Sequence, residues 1–320
     1  MDWDCSVLDD TEKIILSLRA LYQRNGYMRY RMGKFEEYDL YGKNKDFLLS
    51  DNIITFTDTD GKLMALKPDV TLSVIKNHRD EPDVLRKYCY NESVYRVSRG
   101  SGAFRELTQS GVECVGSVDW RCVGENLRLA AESLALCAER FVLEVSHLDI
   151  LRSFLYAVTD DAMIRDELLK CVGEKNCHGI LAICRAHALA WDKADALRAL
   201  VDTYGAPEEV LPLLDVLCAE RSLNAEIQFL RDALAVVAEA GFADKVRVDF
   251  SAISNMNYYN GILFKGYIEG VPDSVLSGGQ YDKLMRKMGK RSKAVGFAVY
   301  LDRLERLGEA ENDGVIFQNA

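Results

Sequence analysis

At 320 residues, 48% of them hydrophobic and 28% charged, the chain has the composition of an ordinary soluble globular protein, with material for one large domain or two modest ones. Its formal net charge of −10 weighs against a life on a phosphate backbone, because neutralised phosphates and released counterions reward a basic face. No stretch approaches the roughly 20 uninterrupted apolar residues of a membrane span, and Met1-Asp2-Trp3-Asp4-Cys5 carries acid where a secretory signal carries base, so a cytoplasmic location is expected.

The first element is a helix. Asp9 with Glu12 has the form of a capping box, Ile14, Ile15, Leu18, Leu21 and Tyr22 make an apolar stripe, and Asn25-Gly26 closes it. The basic run Arg29, Arg31 and Lys34 reads as a solvated edge. Ile53 to Thr57 is β-rich, Asp60-Gly61 is a hairpin turn, and Leu63 to Leu66 returns. Residues 88–97 and 107–115 read as strands around the loop Arg99-Gly100-Ser101-Gly102. A long helix follows, with Val123, Leu127, Ala130, Leu134, Cys137 and Phe141 recurring at helical spacing.

From about 150 to 240 leucine and alanine at helical spacing dominate and strand signals vanish. This sets off 151–243 as an all-helical insertion between a first part of a core, 1–150, and its remainder, 244–320. The chain's nine cysteines read as reduced thiols. The cluster Cys171, Cys177, His178, Cys184 and His187 fits no familiar zinc spacing; Cys177 and Cys184 share a helix face, and no metal is expected. β texture resumes at Val246, Val248 and Phe250 and over Gly261 to Glu269, a turn stands at Gly270-Val271-Pro272-Asp273, and a final helix is expected from about Ala298 to Leu307. The order predicts an α+β fold, an antiparallel sheet flanked by helices whose last strands are supplied after the insert.

Four polar clusters stand out. Lys67-Pro68-Asp69-Val70-Thr71 places an acid and a hydroxyl after a strand, where either also serves as a simple cap for the helix Ser73 to Lys76. Following Arg96, the residues Arg105, Gln109 and Glu113 fall on one face of a strand. Burying such a polar row is costly unless it is paired, so it points to a cleft. Asn257-Tyr258-Tyr259-Asn260-Gly261 reads alone as a turn, and Ser277-Gly278-Gly279-Gln280-Tyr281-Asp282 as a loop, although glycine in a strand lets a ligand approach the backbone.

In this order and at these separations the clusters resemble the catalytic core of histidyl-tRNA synthetase, a class II synthetase. Val94-Tyr95-Arg96 through Gly111-Val112-Glu113 is similar to motif 2, and Gly296-Phe297-Ala298 through Asp302-Arg303-Leu304 to motif 3. Tyr258-Tyr259-Asn260-Gly261 and Gly278-Gly279-Gln280-Tyr281-Asp282 resemble the two histidine-specific segments, and the likeness spans residues ~10–150 and ~245–307. It implies a histidine pocket: Asp69 and Thr71 receive the α-ammonium, Arg96 and Gln109 lie near the ligand backbone, Glu113 and Tyr259 hold the imidazole, and Tyr258, Gly278, Gly279 and Tyr281 complete it. A carboxylate and a phenol satisfy both ring nitrogens, and the acid favours imidazolium.

The same resemblance implies a degraded ATP side. Ser98 stands where the enzymes carry an acid that reads adenine, and Leu107 where an aromatic ring stacks on it. Ser254 replaces an arginine that stabilises charge as carboxylate attacks ATP, and Tyr300 a glycine that leaves room for nucleotide. Loss of such a preorganised charge costs orders of magnitude in rate, so no catalytic residue and no cofactor is expected, although Arg303 remains. The synthetases continue with an anticodon-binding domain, and with the sequence stopping at Ala320 none is expected here.

These features, with Val145-Ser146-His147-Leu148, resemble the regulatory subunit of ATP phosphoribosyltransferase, the first enzyme of histidine biosynthesis. That resemblance implies pairing with a short catalytic subunit in a hetero-octamer, L-histidine as effector, and no dealings with tRNA or membrane. A self-dimer is expected through the N-terminal helix and Tyr27 to Tyr41, which resemble the class II motif 1 region. The family's Arg-Gly-Tyr-Asp is Ser254-Asn255-Met256-Asn257 here and Gln280 replaces an arginine, both departures expected to touch the pocket. Two other classes fit the clusters: a working histidine-activating enzyme, and a histidine-sensing domain for another partner.

Overall fold

Asp9 accepts a hydrogen bond from the Glu12 amide and the Glu12 carboxylate takes the Asp9 amide, so α1 (Asp10–Arg24) starts where its capping box predicts. Leu18, Leu21 and Tyr22 of α1 are buried. The structure, a computed structural model, describes residues 7–45, 48, 53–98, 102–253 and 258–304.

After β1 (Met28–Arg29) the chain builds a small sheet from β2 (Phe35–Glu37), β3 (Thr55–Thr57) and β4 (Leu63–Leu66), with α2 (Tyr38–Gly42) between its first two strands. The hairpin read from Asp60-Gly61 joins β3 to β4. Then come α3 (Thr71–Asn77), the long hairpin β5 (Arg86–Val97) and β6 (Phe104–Gly116), α4 (Trp120–Cys137) and β7 (Phe141–His147). A run of helices follows: α5 (Leu148–Val158), α6 (Ala162–Gly173), α7 (Cys177–Ala186), α8 (Trp191–Asp202), α9 (Pro207–Leu217) and α10 (Asn224–Glu239). It is broken only by the two-residue strand β8 (Tyr204–Gly205) before α9. The chain then returns with β9 (Val246–Asp249), β10 (Asn260–Ile268), β11 (Leu276–Gln280), α11 (Asp282–Lys287) and β12 (Lys293–Tyr300).

Among the described residues nine strands form the main sheet, in the order β1-β5-β6-β12-β11-β10-β7-β9-β8. Neighbours from β5 to β7 are all antiparallel, as expected, while β1 on β5 and β9 on β7 run parallel toward the margins. Of the strands supplied after the helices, β10, β11 and β12 enter the middle of the sheet between β6 and β7, while β9 lies beyond β7.

Two helix expectations differ from the structure. Phe141 opens β7, because α4 ends at Cys137 and Ala138 is extended at φ −159°, ψ 153°. A buried strand residue four places beyond a helix end satisfies helical spacing by coincidence. Ala298 to Tyr300 belong to β12, and residues 301–304 are helical; the expected end at Leu307 lies outside the described residues.

Helix α4 packs against β7, β10, β11 and β12 and against α10. One continuous apolar cluster runs from Leu18 and Tyr22 through Leu127, Leu134 and Phe264 to Leu197, Leu214 and Leu230 of the helical segment. Smaller clusters cover the other sheet face, one around Tyr41, Leu72, Tyr258 and Tyr281 and one around Val70, Tyr90 and Val94.

Candidate functional site

Period two on β6 sends Val112 and Cys114 into the main core and Gln109 and Glu113 to the opposite face, where both are buried. The Lys67–Thr71 turn is fastened against that face. Lys67, 1% exposed, pairs with Glu92 on β5, and its carbonyl accepts the Tyr95 amide at 2.9 Å. Asp69 accepts the Leu72 amide at 2.9 Å in the first turn of α3 and also borders the pocket. Thr71 Oγ1 donates to Glu113 Oε1 at 2.6 Å, and the Tyr281 hydroxyl donates to Glu113 Oε2.

Asp69, Thr71, Arg96, Gln109, Glu113, Tyr258, Tyr259 and Tyr281 all border one pocket. Gly278 and Gly279 lie in β11 behind it. A Cβ on Gly279 would stand 2.8 Å from Tyr259 Cδ1, and one on Gly296, across from Glu113 in register, 2.0 Å from Glu113 Oε2. Ring and carboxyl therefore rest directly on backbone, which only glycine permits. Arg96 is tethered through Nε to the Pro68 carbonyl at 3.2 Å. Burial pushes the Glu113 carboxyl up to about 8, although the Thr71 and Tyr281 hydrogen bonds pull the other way. Burial also raises Asp69, opposed by the Leu72 amide and the Arg96 charge. The unfilled space is about 50 Å³, well below the ~150 Å³ that admits a benzene ring.

Arg105 does not reach the pocket: the polar row starts at Gln109, because the first residues of β6 are exposed at the end of the hairpin. Gln280, expected at the pocket, faces elsewhere, its Oε1 accepting the Ile262 amide at 2.8 Å. Tyr90 and Ser277 border the pocket and were not anticipated. Period two from Tyr281 would have found Ser277. Tyr90 stands across from Gly111, where a Cβ would come within 2.6 Å of its hydroxyl, so a glycine opposite a tyrosine was the usable signal. Among the described residues no three His, Cys, Asp or Glu side chains gather so as to hold a metal ion.

The sequence profile of histidyl-tRNA synthetases matches residues 5–304. The chain belongs to the histidyl-tRNA synthetase family. An ATP phosphoribosyltransferase regulatory subunit from Clostridium kluyveri is 28% identical over 293 residues, 89% of this chain and 74% of that protein. A solved ATP phosphoribosyltransferase regulatory subunit/histidyl-tRNA synthetase from Bacillus halodurans superimposes with a TM-score of 0.81 at 23% identity, covering 95% of this chain and 82% of its own. A chain of the ATP phosphoribosyl transferase (HisG:HisZ) complex from Thermotoga maritima gives 0.71 at 18% identity, with 91% and 97% covered. The fold is the α+β class II synthetase fold that the motifs predict.

Of the four positions where the resemblance implies a degraded nucleotide side, three lie among the described residues. Tyr300, across from Gln109 in register, borders the pocket. The Arg303 guanidinium stacks on the Tyr300 ring, 4.5 Å from its centroid, and donates to the Ser274 carbonyl. Leu107 packs with Val70, Val74, Tyr90 and Val94 and does not border the pocket. Ser98 lies at the hairpin end, its amide donating to the Ala103 carbonyl at 2.8 Å. Ser254, with Asn255, Met256 and Asn257, falls outside the described residues.

Proposed function

We propose that the chain is a non-catalytic regulatory subunit of an ATP phosphoribosyltransferase, serving the first step of L-histidine biosynthesis, and that its pocket holds L-histidine as an effector without activating it. The observation that carries this reading is the pocket's asymmetry. Glu113 sits ready between Thr71 and Tyr281, while Tyr300, with Arg303 stacked on it, takes the side where a nucleotide would lie. Carboxyl and phenol groups suit an imidazole, Asp69 suits an ammonium, and Arg96 a carboxylate. The names of the Clostridium, Bacillus and Thermotoga proteins support the same reading.

The partner in this reading is a short catalytic subunit that joins ATP to phosphoribosyl pyrophosphate, in a hetero-octamer. The chain pairs with itself through α1 and the segment Tyr27 to Tyr41, where Met28 and Phe35 expose apolar surface. Residues 1–150 and 244–320 form the discontinuous core and 151–243 the insertion. The work is cytoplasmic and involves neither tRNA nor membrane; no helix among the described residues is long and apolar enough to cross one. Histidine binds the chain more tightly in one arrangement of the complex and draws the population toward it. A coupling of ~1–3 kcal/mol corresponds to roughly 5- to 150-fold control.

Co-expression with a short phosphoribosyltransferase subunit tests the proposal. The two are expected to co-purify, the chain to raise the partner's turnover, and histidine to suppress it through wild-type chain but not through Glu113→Ala. A chain that neither binds the subunit nor changes its rate overturns the reading. Histidine-dependent exchange between pyrophosphate and ATP by the isolated chain would establish an activating enzyme in its place.

A further inference from the structure

A second, more open cleft of about 260 Å³ lies between the start of α10 and the ends of β7, β10 and β11. Its polar border comprises His147, Asp149, Glu226, Asn260, Gln280 and Asp282. Most of these have partners. Asp149 accepts the Gly261 amide at 3.0 Å and pairs with Arg152; Asp282 accepts the Ala294 amide at 2.9 Å and the Asn260 side chain at 3.2 Å.

Two buried atoms do not. His147 Nδ1 and Glu226 Oε2 meet no hydrogen-bonding partner among the described residues. His147 is 4% exposed, held edge-on to Phe229 with ring centroids 6.5 Å apart. Burial lowers its imidazole to about 4, so the ring is neutral at pH 7 and Nδ1 accepts in the Nε2–H tautomer. A carboxylate oxygen can only accept, and buried acceptors left unmatched are costly. Three carboxylates line the cleft, Asp149, Glu226 and Asp282; Arg152 offsets Asp149, and the three do not converge as metal ligands would. The missing piece is a compact cation rich in N–H donors.

We propose that this cleft is a ligand site of its own, taking a small primary-ammonium compound whose N–H groups reach Glu226 on one wall and His147 on the other. An ammonium brings three donors and a positive charge to two acceptors, one of them the Glu226 carboxylate, which among the described residues has no ion pair across the cleft to offset it. The ligand bridges α10 of the helical segment to the strand ends of the sheet. It also lies next to the first pocket, since Gln280 borders this cleft and Tyr281 the other. The site stands whether or not the first pocket binds histidine.

The test is an amide chemical-shift titration of the full chain with n-butylammonium chloride, run beside tetramethylammonium chloride, a cation without N–H. Butylammonium is expected to give saturable shifts at His147, Glu226 and Gly261, and tetramethylammonium none. Glu226→Gln is expected to weaken butylammonium at least tenfold with an unchanged circular dichroism spectrum. Ala225→Phe, at the exposed rim, gives an independent check by filling the cleft and abolishing the shifts. Absence of saturable shifts, equal shifts with both cations, or undiminished binding by Glu226→Gln overturns the proposal.

Discussion

A carboxyl group buried to 2% exposure, with a threonine and a tyrosine hydroxyl against it, keeps its proton far above the usual range. Glu113 is raised from an ordinary 4.5 to about 8. The sign follows from which state holds the proton. The folded chain keeps it where the unfolded chain releases it, so this contribution is complete below 4.5 and is lost as pH rises through 8. Glu113→Gln cannot ionise. Wild type is therefore expected to lose stability relative to Glu113→Gln between those pH values, at about 1.4 kcal/mol per pH unit and up to about 5 kcal/mol in all. Urea midpoints of both proteins at pH 5 and pH 9 measure it; a difference that stays constant with pH would show that Glu113 is ionised in the folded protein. The acid itself was legible in the sequence as part of a polar row. Its bond to Tyr281 was not, because the partners are distant in sequence and meet only once β6 and the end of β11 share a sheet.

Elements were legible where local chemistry decides them and illegible where it does not. The capping box of α1 and the hairpin of β3 and β4 are properties of a few consecutive residues, and both formed as read. The end of α4 and the extent of β12 are set by sheet pairing, which helical spacing of apolar residues cannot register. The segment 277–282 reads as a loop because of its glycines, and a loop has no facing. As strand β11, period two turns Ser277 and Tyr281 to the pocket and Gln280 away from it. The glycines have another explanation, the carboxyl and rings that lie on them. Gly296→Ala would place a methyl 2.0 Å from Glu113 Oε2 and 2.4 Å from the Val112 carbonyl oxygen, so β12 or Glu113 must move. The expected cost is ~1–3 kcal/mol, read as a lower urea midpoint at unchanged slope. An unaltered midpoint would show that the strand yields freely here.

At the scale of the whole molecule, the helical segment and the sheet share a single apolar cluster, so neither buries its own surface alone. Chain order suggested an insertion, and only the packing of α10 on α4 reveals how tightly it is joined. One cooperative transition is expected. Trp120 in α4 and Trp191 in α8 report the two parts. Variants retaining one or the other should share a urea midpoint with far-UV circular dichroism. An earlier transition at Trp191 would show that the helical segment unfolds by itself.

The place of β12 beside β6 also sets a timetable for synthesis. About 180 residues separate the end of β6 at Gly116 from Lys293, with which it pairs. At the usual pace of translation this is about 10–35 s, during which the inner edge of β6 emerges with its partner still unmade. Unpaired edges recruit other strands. A nascent chain of this protein is thus most exposed to misassociation while its helical segment is being made, and anything that shields that edge should raise its yield more than a stronger core would.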